Sequence, residues 1–277
     1  GMYSNMPSNS VLTSGNILKV TFDDGVSFEA SSKIITDGTW SSEENTICVK
    51  NAKHVLLLTQ IGTNVKGNNP EDEMAFPEEQ CFDTLFERHA KHFAELKGDS
   101  VVDIEVEECY LPTNQRIALF REGKEPSLPL LYFEYGRYLM VSGSSGELPL
   151  NLQGKWNEDL QPPWDSDYHL DVNLQMCYWF VEVLGMKHAA NTMFNFIEHH
   201  VPYAKEVAKR LYNCKGVSFC ITSDIWGRST PEAPGWATWI GATPWLAQHM
   251  FMHWRHTKDV QFLKERCYPF LKLASEF

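Results

Sequence analysis

At 277 residues the chain is long enough for one large domain or two ordinary ones, taking about 150 residues per domain. Its 36 acidic residues against 24 basic ones give a formal charge of −12, which works against nucleic acid or an anionic membrane surface as a partner. With 43% hydrophobic and 22% charged residues the composition is that of a packed protein, and no run of about 18 apolar residues exists to form a membrane-spanning helix.

Gly1 ahead of Met2 reads as a residue left by removal of a tag, and the polar run 3–14 predicts no signal-peptide core. Alternating segments follow over residues 17–22 and 26–30, and the Asp24-Gly25 pair between them predicts a hairpin turn. Further strands are predicted over 46–49 and 55–61, and the Asn-, Glu- and Pro-rich stretch 67–77 predicts a loop.

From Phe82 the period becomes helical. Phe82, Leu85, Phe86, His89, Phe93 and Leu96 share one face, and Gly98 stops the run. The mixed segment 101–112 is expected to pair with or pack on the strand-rich part. Long helices are predicted over 130–141, 173–184, 187–212, 242–257 and 259–277, separated by loops rich in Gly, Pro and Trp. Such a series predicts a toroid or bundle of antiparallel hairpins. The sequence ends inside the last helical pattern, which points to a continuation.

Seven cysteines (Cys48, Cys81, Cys109, Cys177, Cys214, Cys220, Cys267) are scattered and never spaced Cys-x-x-Cys, so mostly buried thiols are expected, with neither a disulfide framework nor a zinc ribbon. His249 and His253 stand four apart, as on a zinc-binding helix, but Met250 occupies the place where a metalloprotease carries Glu. These two and the His199-His200 doublet are expected to be surface or rim groups. Dinucleotide and phosphate-loop signatures are absent from the sequence.

The densest mixture of aromatic and polar residues runs from Gly146 to Trp179. Asn151, Gln153, Asn157, Asp165, Asp167, His169, Asp171, Asn173 and Gln175 alternate there with Trp156, Trp164, Tyr168 and Trp179. A pyranose presents apolar C–H faces that stack on aromatic rings and a rim of hydroxyls that need donors and acceptors, so these residue types suit a sugar site. The competing reading is a loop whose polar side chains satisfy its own backbone. A second cluster, 222–228 and 231–239, holds Asp224 and Glu232 as candidate acids beside Trp226; an ion pair of either acid with Arg228 competes with that role.

The runs Leu131-Tyr132-Phe133-Glu134-Tyr135-Gly136-Arg137-Tyr138-Leu139, Leu148-Pro149-Leu150-Asn151-Leu152-Gln153-Gly154-Lys155-Trp156-Asn157 and Pro162-Pro163-Trp164-Asp165-Ser166-Asp167-Tyr168-His169-Leu170-Asp171-Val172-Asn173 resemble glycoside hydrolase family 95. The resemblance extends through Asp224-Ile225-Trp226-Gly227 to Tyr268-Pro269-Phe270-Leu271-Lys272. It implies an α+β multidomain protein: the C-terminal part of a β-sandwich over 1–80, a linker with a helix over 81–127, and the first part of an (α/α)6 barrel over 128–277. The activity implied is inverting hydrolysis of terminal α-L-fucosyl or α-L-galactosyl residues, with a glycan as partner, no metal, no cofactor and a secreted or periplasmic location.

The family's Asn-x-Asn motif, which orients the attacking water, is matched by Asp171-Val172-Asn173, so the resemblance implies Asp171 and Asn173 as catalytic residues. Asp171 departs from the motif, and a carboxylate can take the water's proton where an amide cannot. Asn151, Gln153, Trp156, Trp164, His169, Asp224 and Trp226 are the implied substrate-binding residues. The family's acid glutamate lies further downstream than Phe277, and Cys220-Ile221-Thr222 stands where many members carry His-His-Asn. A non-catalytic carbohydrate-binding or scaffolding protein is the rival reading.

Overall fold

The computed structural model describes residues 10–14, 17–21, 26–43, 46–65, 67, 69–73, 75–78, 81–159, 161–231, 235 and 239–277. The chain divides into two compact units, 1–91 and 92–277. The Asp24-Gly25 turn and Glu232 lie outside the described residues.

Among the described residues the first unit carries six strands: β1 (Ser10–Ser14), β2 (Ile17–Thr21), β3 (Ser27–Thr36), β4 (Thr39–Glu43), β5 (Thr46–Lys50) and β6 (Val55–Thr63). Four of them form an antiparallel sheet in the order β1-β2-β3-β6, while β4 and β5 pair as a separate ribbon. β3 and β6 are long because β-branched and leucine residues meet across the ladder, as in Ile34 opposite Leu57 and Ile35 opposite Leu56. Exposure alternates along β6, the signature of a strand with one wet face. At Gly62 a Cβ would fall 1.9 Å from the Pro70 carbonyl oxygen, so only glycine lets the short 3-10 turn Pro70–Glu73 approach β6.

α1 (Phe82–Lys97) occupies the predicted helical segment, and Gly98 takes a left-handed φ of 77° just beyond it. The segment 101–112 forms neither strand nor helix, contrary to the expected pairing. α2 (Thr113–Arg121) follows, then α3 (Leu128–Gly143). Lys97 and α3 are tied together: Lys97 Nζ lies 3.1 Å from Glu134 Oε2, and the buried Arg137 donates to the Lys97 carbonyl at 3.2 Å.

Two loops cross between the remaining helices and meet in a two-residue ladder, β7 (Tyr168–His169) against β8 (Thr222–Ser223). α4 (Asn173–Cys177) is shorter than predicted. Beyond it the bonds switch to three-residue turns, Tyr178 to Gln175 and Val181 to Tyr178, rather than continuing an α-helix to residue 184. α5 (Lys187–Tyr212) and α6 (Ala242–Thr257) span the segments that the periodicity predicts. The last segment is helical in three pieces, α7 (Val260–Phe262), a π turn over Leu263–Cys267, and α8 (Tyr268–Glu276). Asp259 caps α7 by accepting from the Phe262 N–H at 3.0 Å.

The core of this unit is built by Phe194 and Ile197 of α5, Leu246 and Met250 of α6, Phe262, Phe270 and, from the first crossing loop, Leu170. Each of these is below a tenth exposed, so the loop that carries the candidate chemistry is anchored in the core rather than draped over it.

Candidate functional site

The first crossing loop is held by its own aromatic residues. Tyr168 Oη donates to the Pro149 carbonyl at 3.1 Å and packs its ring 4.4 Å from that of Phe196, while the Leu150 N–H donates to Tyr178 Oη at 3.1 Å. Burial pushes the Tyr178 phenol up to about 12 and raises Tyr168 as well, so both hydroxyls stay protonated and serve as structural pegs.

Asn151 organises the neighbouring turn. Its Oδ1 accepts from the Gln153 N–H at 2.9 Å, the Lys155 N–H at 3.3 Å and Ser166 Oγ at 3.2 Å. The Leu152 N–H adds a bond to the Asp167 carbonyl at 2.9 Å, which brings the 151–156 turn against 166–167. Trp156 lies against Gly154, where a Cβ would be 3.0 Å from its Cδ1, and remains half exposed. Trp164 is 71% exposed and begins a run of three non-glycine residues with positive φ: Trp164 at 51°, Asp165 at 56° and Ser166 at 51°. Each costs of order 1 kcal/mol against ordinary backbone, a local strain that the surrounding bonds must hold in place.

The β7–β8 ladder sets Tyr168 opposite Ser223 and His169 opposite Thr222, so Asp167 and His169 stand beside the second loop. His169 Nδ1 lies 2.6 Å from Asp167 Oδ1, and Arg228 Nη2 donates to Asp167 Oδ2. Asp224 closes the loop on itself: Oδ1 accepts from the Trp226 N–H at 2.8 Å and the Arg228 N–H at 3.0 Å, and Oδ2 is 4.0 Å from Arg228 Nε. The ion-pair reading of Asp224 and Arg228 therefore describes this loop. Gly227, at φ 89°, lies so close to Tyr203 of α5 that a Cβ would be 2.3 Å from the ring, and neighbouring Trp226 is 45% exposed.

Leu170 continues the strand, donating its N–H to the Ile221 carbonyl at 2.6 Å and accepting from Gln175 Nε2 at 2.8 Å and Trp239 Nε1 at 3.3 Å. Asp171 follows at once. Its Oδ1 is shielded from solvent and has no hydrogen-bond partner among the described residues, and the same holds for Oε1 of the fully buried Gln175. Asp171 does not cap α4: the capping position is Val172, which carries no side-chain bond. Asn173, half-buried, is the first residue of α4.

Contacts thus join Asn151, Ser166, Asp167, His169, Asp224 and Arg228 into one bonded rim, with Asp171 two residues beyond His169. The exposed indoles of Trp156, Trp164 and Trp226 sit on its turns rather than in the bonded part. The contacts of Asp167 with His169 and Arg228 were not read from the sequence. The Asp-x-His spacing was the available signal, since residues two apart on an extended strand share a face.

Several expectations need correction. His200, His249 and His253 are buried rather than at a rim: His200 is 1% exposed, with Nδ1 2.7 Å from the Phe196 carbonyl and Nε2 2.8 Å from that of Asp224. His253 Nδ1 lies 2.8 and 2.9 Å from the two Glu182 oxygens. Burial drives His249 down to about 4. Of the seven cysteines only Cys220 and Cys267 are buried, contrary to the expectation of mostly buried thiols. A cavity of about 700 Å3 lies by the start of α5 and the end of α6, lined by none of the ladder residues, and within its lining Glu182 meets His253 and Arg266 donates to Asn191 Oδ1.

Residues 81–277 match the family model of the glycosyl hydrolase family 95 catalytic domain. The chain is 30% identical over 253 residues to alpha-L-fucosidase 2 of Arabidopsis thaliana, covering 83% of this chain and 30% of that protein. It is 27% identical over 248 residues to a probable alpha-fucosidase A of Aspergillus niger, covering 81% of this chain and 31% of that one. It therefore spans about a third of the length of these relatives. Its fold is similar to that of a putative kojibiose phosphorylase from human microbiome, with a TM-score of 0.57 at 13% identity, over 98% of this chain and 36% of that one. The family-model match covers well over half of the sequence, and on that basis the chain belongs to glycosyl hydrolase family 95.

Proposed function

We propose that this chain is part of an α-L-fucosidase-type glycoside hydrolase that removes terminal α-L-fucosyl or α-L-galactosyl residues with inversion. The strand-rich unit is read as the C-terminal part of a β-sandwich (1–80), residues 81–127 as the linker, and 128–277 as the first part of an (α/α)6 barrel. The names of the Arabidopsis and Aspergillus relatives support the substrate class.

The observation that carries the mechanism is Asp171 Oδ1, a shielded carboxylate oxygen with no partner among the described residues. Leaving such an acceptor unbonded costs about 1–3 kcal/mol, and a reacting water is a fitting donor. Asp171 takes the proton of that water as it attacks the anomeric carbon, and Asn173 fixes the water's direction. Trp156, Trp164 and Trp226 offer ring faces for stacking on the sugar, and Asn151, Gln153, His169 and Asp224 form the polar side of the site.

Inversion also needs an acid on the far side of the bond, with its carboxyl about 6.5–9.5 Å from that of the base. Asp224 is unsuited, because its Oδ1 is spent on two backbone N–H groups and its Oδ2 faces Arg228. We place the acid in a further part of the complete enzyme, the relatives being about three times this length. The test is an assay of the complete enzyme on an α-L-fucosyl glycan, following the first-formed anomer by NMR. Release of the β-anomer supports the reading, and release of the α-anomer or no release at all overturns it.

A further inference from the structure

Leu170 and Gln175 bracket the two residues assigned to the attacking water. Gln175 Nε2 donates to the Leu170 carbonyl at 2.8 Å, and this bond closes a ring over residues 170–175 that contains both Asp171 and Asn173. Leu170, Leu174 and Gln175 are buried, while Asp171, Val172 and Asn173 are half-buried, so the ring is rooted in the core at both ends. Leu170 is itself held from two sides. Its N–H lies 2.6 Å from the Ile221 carbonyl oxygen, and its carbonyl takes a second donor, Trp239 Nε1, at 3.3 Å. Glycine at 241 permits that second bond, because a Cβ there would fall 2.5 Å from Trp239 Cζ2.

Gln175 is the third residue of α4, the place from which a capping box sends a side-chain oxygen back to the capping N–H. Here the nitrogen reaches back instead, to a carbonyl, and Oε1 is shielded from solvent with no hydrogen-bond partner among the described residues. An unbonded acceptor inside the protein lowers stability. An apolar side chain of similar length would remove that acceptor, and the Leu170 carbonyl would keep its bond to Trp239. Stability therefore gives no reason for an amide at this position, whereas closure of the ring does. We infer that Gln175 is a positioning residue that fixes Asp171 and Asn173 relative to one another, so that the carboxylate and the amide meet the same water. The inference rests on the glycosidase reading above. Its effect belongs to turnover, since a displacement of about 1 Å between reacting groups can cost about 100-fold in rate.

The experiment compares wild type, Gln175→Met and Asp171→Asn in the complete enzyme, by thermal unfolding, by kinetics on an α-L-fucosyl glycan and by amide hydrogen exchange over residues 171–176. In Gln175→Met the Tm should equal or exceed that of wild type, while kcat falls about tenfold or more and KM stays within about threefold. Exchange over 171–176 should be about fivefold faster or more, the scale of one lost hydrogen bond. Wild-type kcat in Gln175→Met beside a slow Asp171→Asn overturns the inference alone, and so does a rise in KM with kcat unchanged. A Gln175→Met enzyme that fails to fold also overturns it, by assigning the amide to stability. No hydrolysis by wild type, or wild-type turnover in Asp171→Asn, overturns the glycosidase reading beneath it. Exchange is independent of that reading, and equal exchange in the two proteins overturns the ring itself.

Discussion

His200 Nε2 lies 2.8 Å from the Asp224 carbonyl oxygen, which fastens the loop after β8 to the middle of α5. The other ring nitrogen is 2.7 Å from the Phe196 carbonyl, so the imidazole sits between two carbonyl oxygens, and the neutral ring that burial favours has one N–H to give to either of them. His200→Ala removes the ring's hydrogen bond and leaves a cavity. It should cost about 2 kcal/mol or more in urea denaturation. Limited proteolysis should then cut near residues 224–228 faster than in wild type, and unchanged stability with unchanged cleavage would show that the clamp is idle.

Gly227 sets the distance between the same loop and Tyr203. Gly227→Ala forces a Cβ into the ring and into a left-handed backbone position, and should destabilise by about 1–3 kcal/mol. The double variant Gly227→Ala with Tyr203→Ala should recover part of that loss, because the clash is removed while the φ of 89° remains unfavourable. Equal losses in the single and double variants would assign the whole effect to backbone strain.

His249 supplies a pH dependence. Its folded pKa is lowered by burial from 6.5 to about 4, so the folded protein binds fewer protons than the unfolded chain between those values. The contribution is fully present above pH 6.5 and is lost as the pH falls toward 4, for a total of about 3 kcal/mol. His249→Leu should therefore lose less stability than wild type on going from pH 7 to pH 4.5. Parallel curves for the two proteins would contradict the assignment.

Glu182 and His253 make a partly buried pair 71 residues apart in the sequence. Glu182→Leu alone should cost about 1–3 kcal/mol by removing the acceptor of the His253 ring, and adding His253→Leu should return part of it. A double variant less stable than either single one would show that the pair is a net stabiliser rather than a mutual dependency.

The helical unit was more legible in the sequence than the site. α5 and α6 follow the periodicity because long amphipathic runs such as Ala189, Met193, Phe196 and Ile197 leave one consistent buried stripe. α2 had no such stripe, since Ile117 and Phe120 are both more than two-fifths exposed, and it went unread. β1 and β4 were missed for a related reason: their Ser- and Thr-rich sequences lack an apolar alternation. At the site, the sugar-type composition was visible, but the partners of His200, His253 and Asp167 are 24 to 71 residues away in the chain. Spacing along the chain reports neighbours on one element; it does not report which loop will pair with which.

The central claim is that Asp171 is the base that activates water, and the most direct measurement is the turnover of Asp171→Asn in the complete enzyme on an α-L-fucosyl glycan. That substitution preserves shape and recreates the amide of the Asn-x-Asn motif while removing the capacity to take a proton. Turnover is predicted to fall about 100-fold or more with KM little changed. Turnover equal to or above that of wild type would contradict the assignment and place the base on another residue.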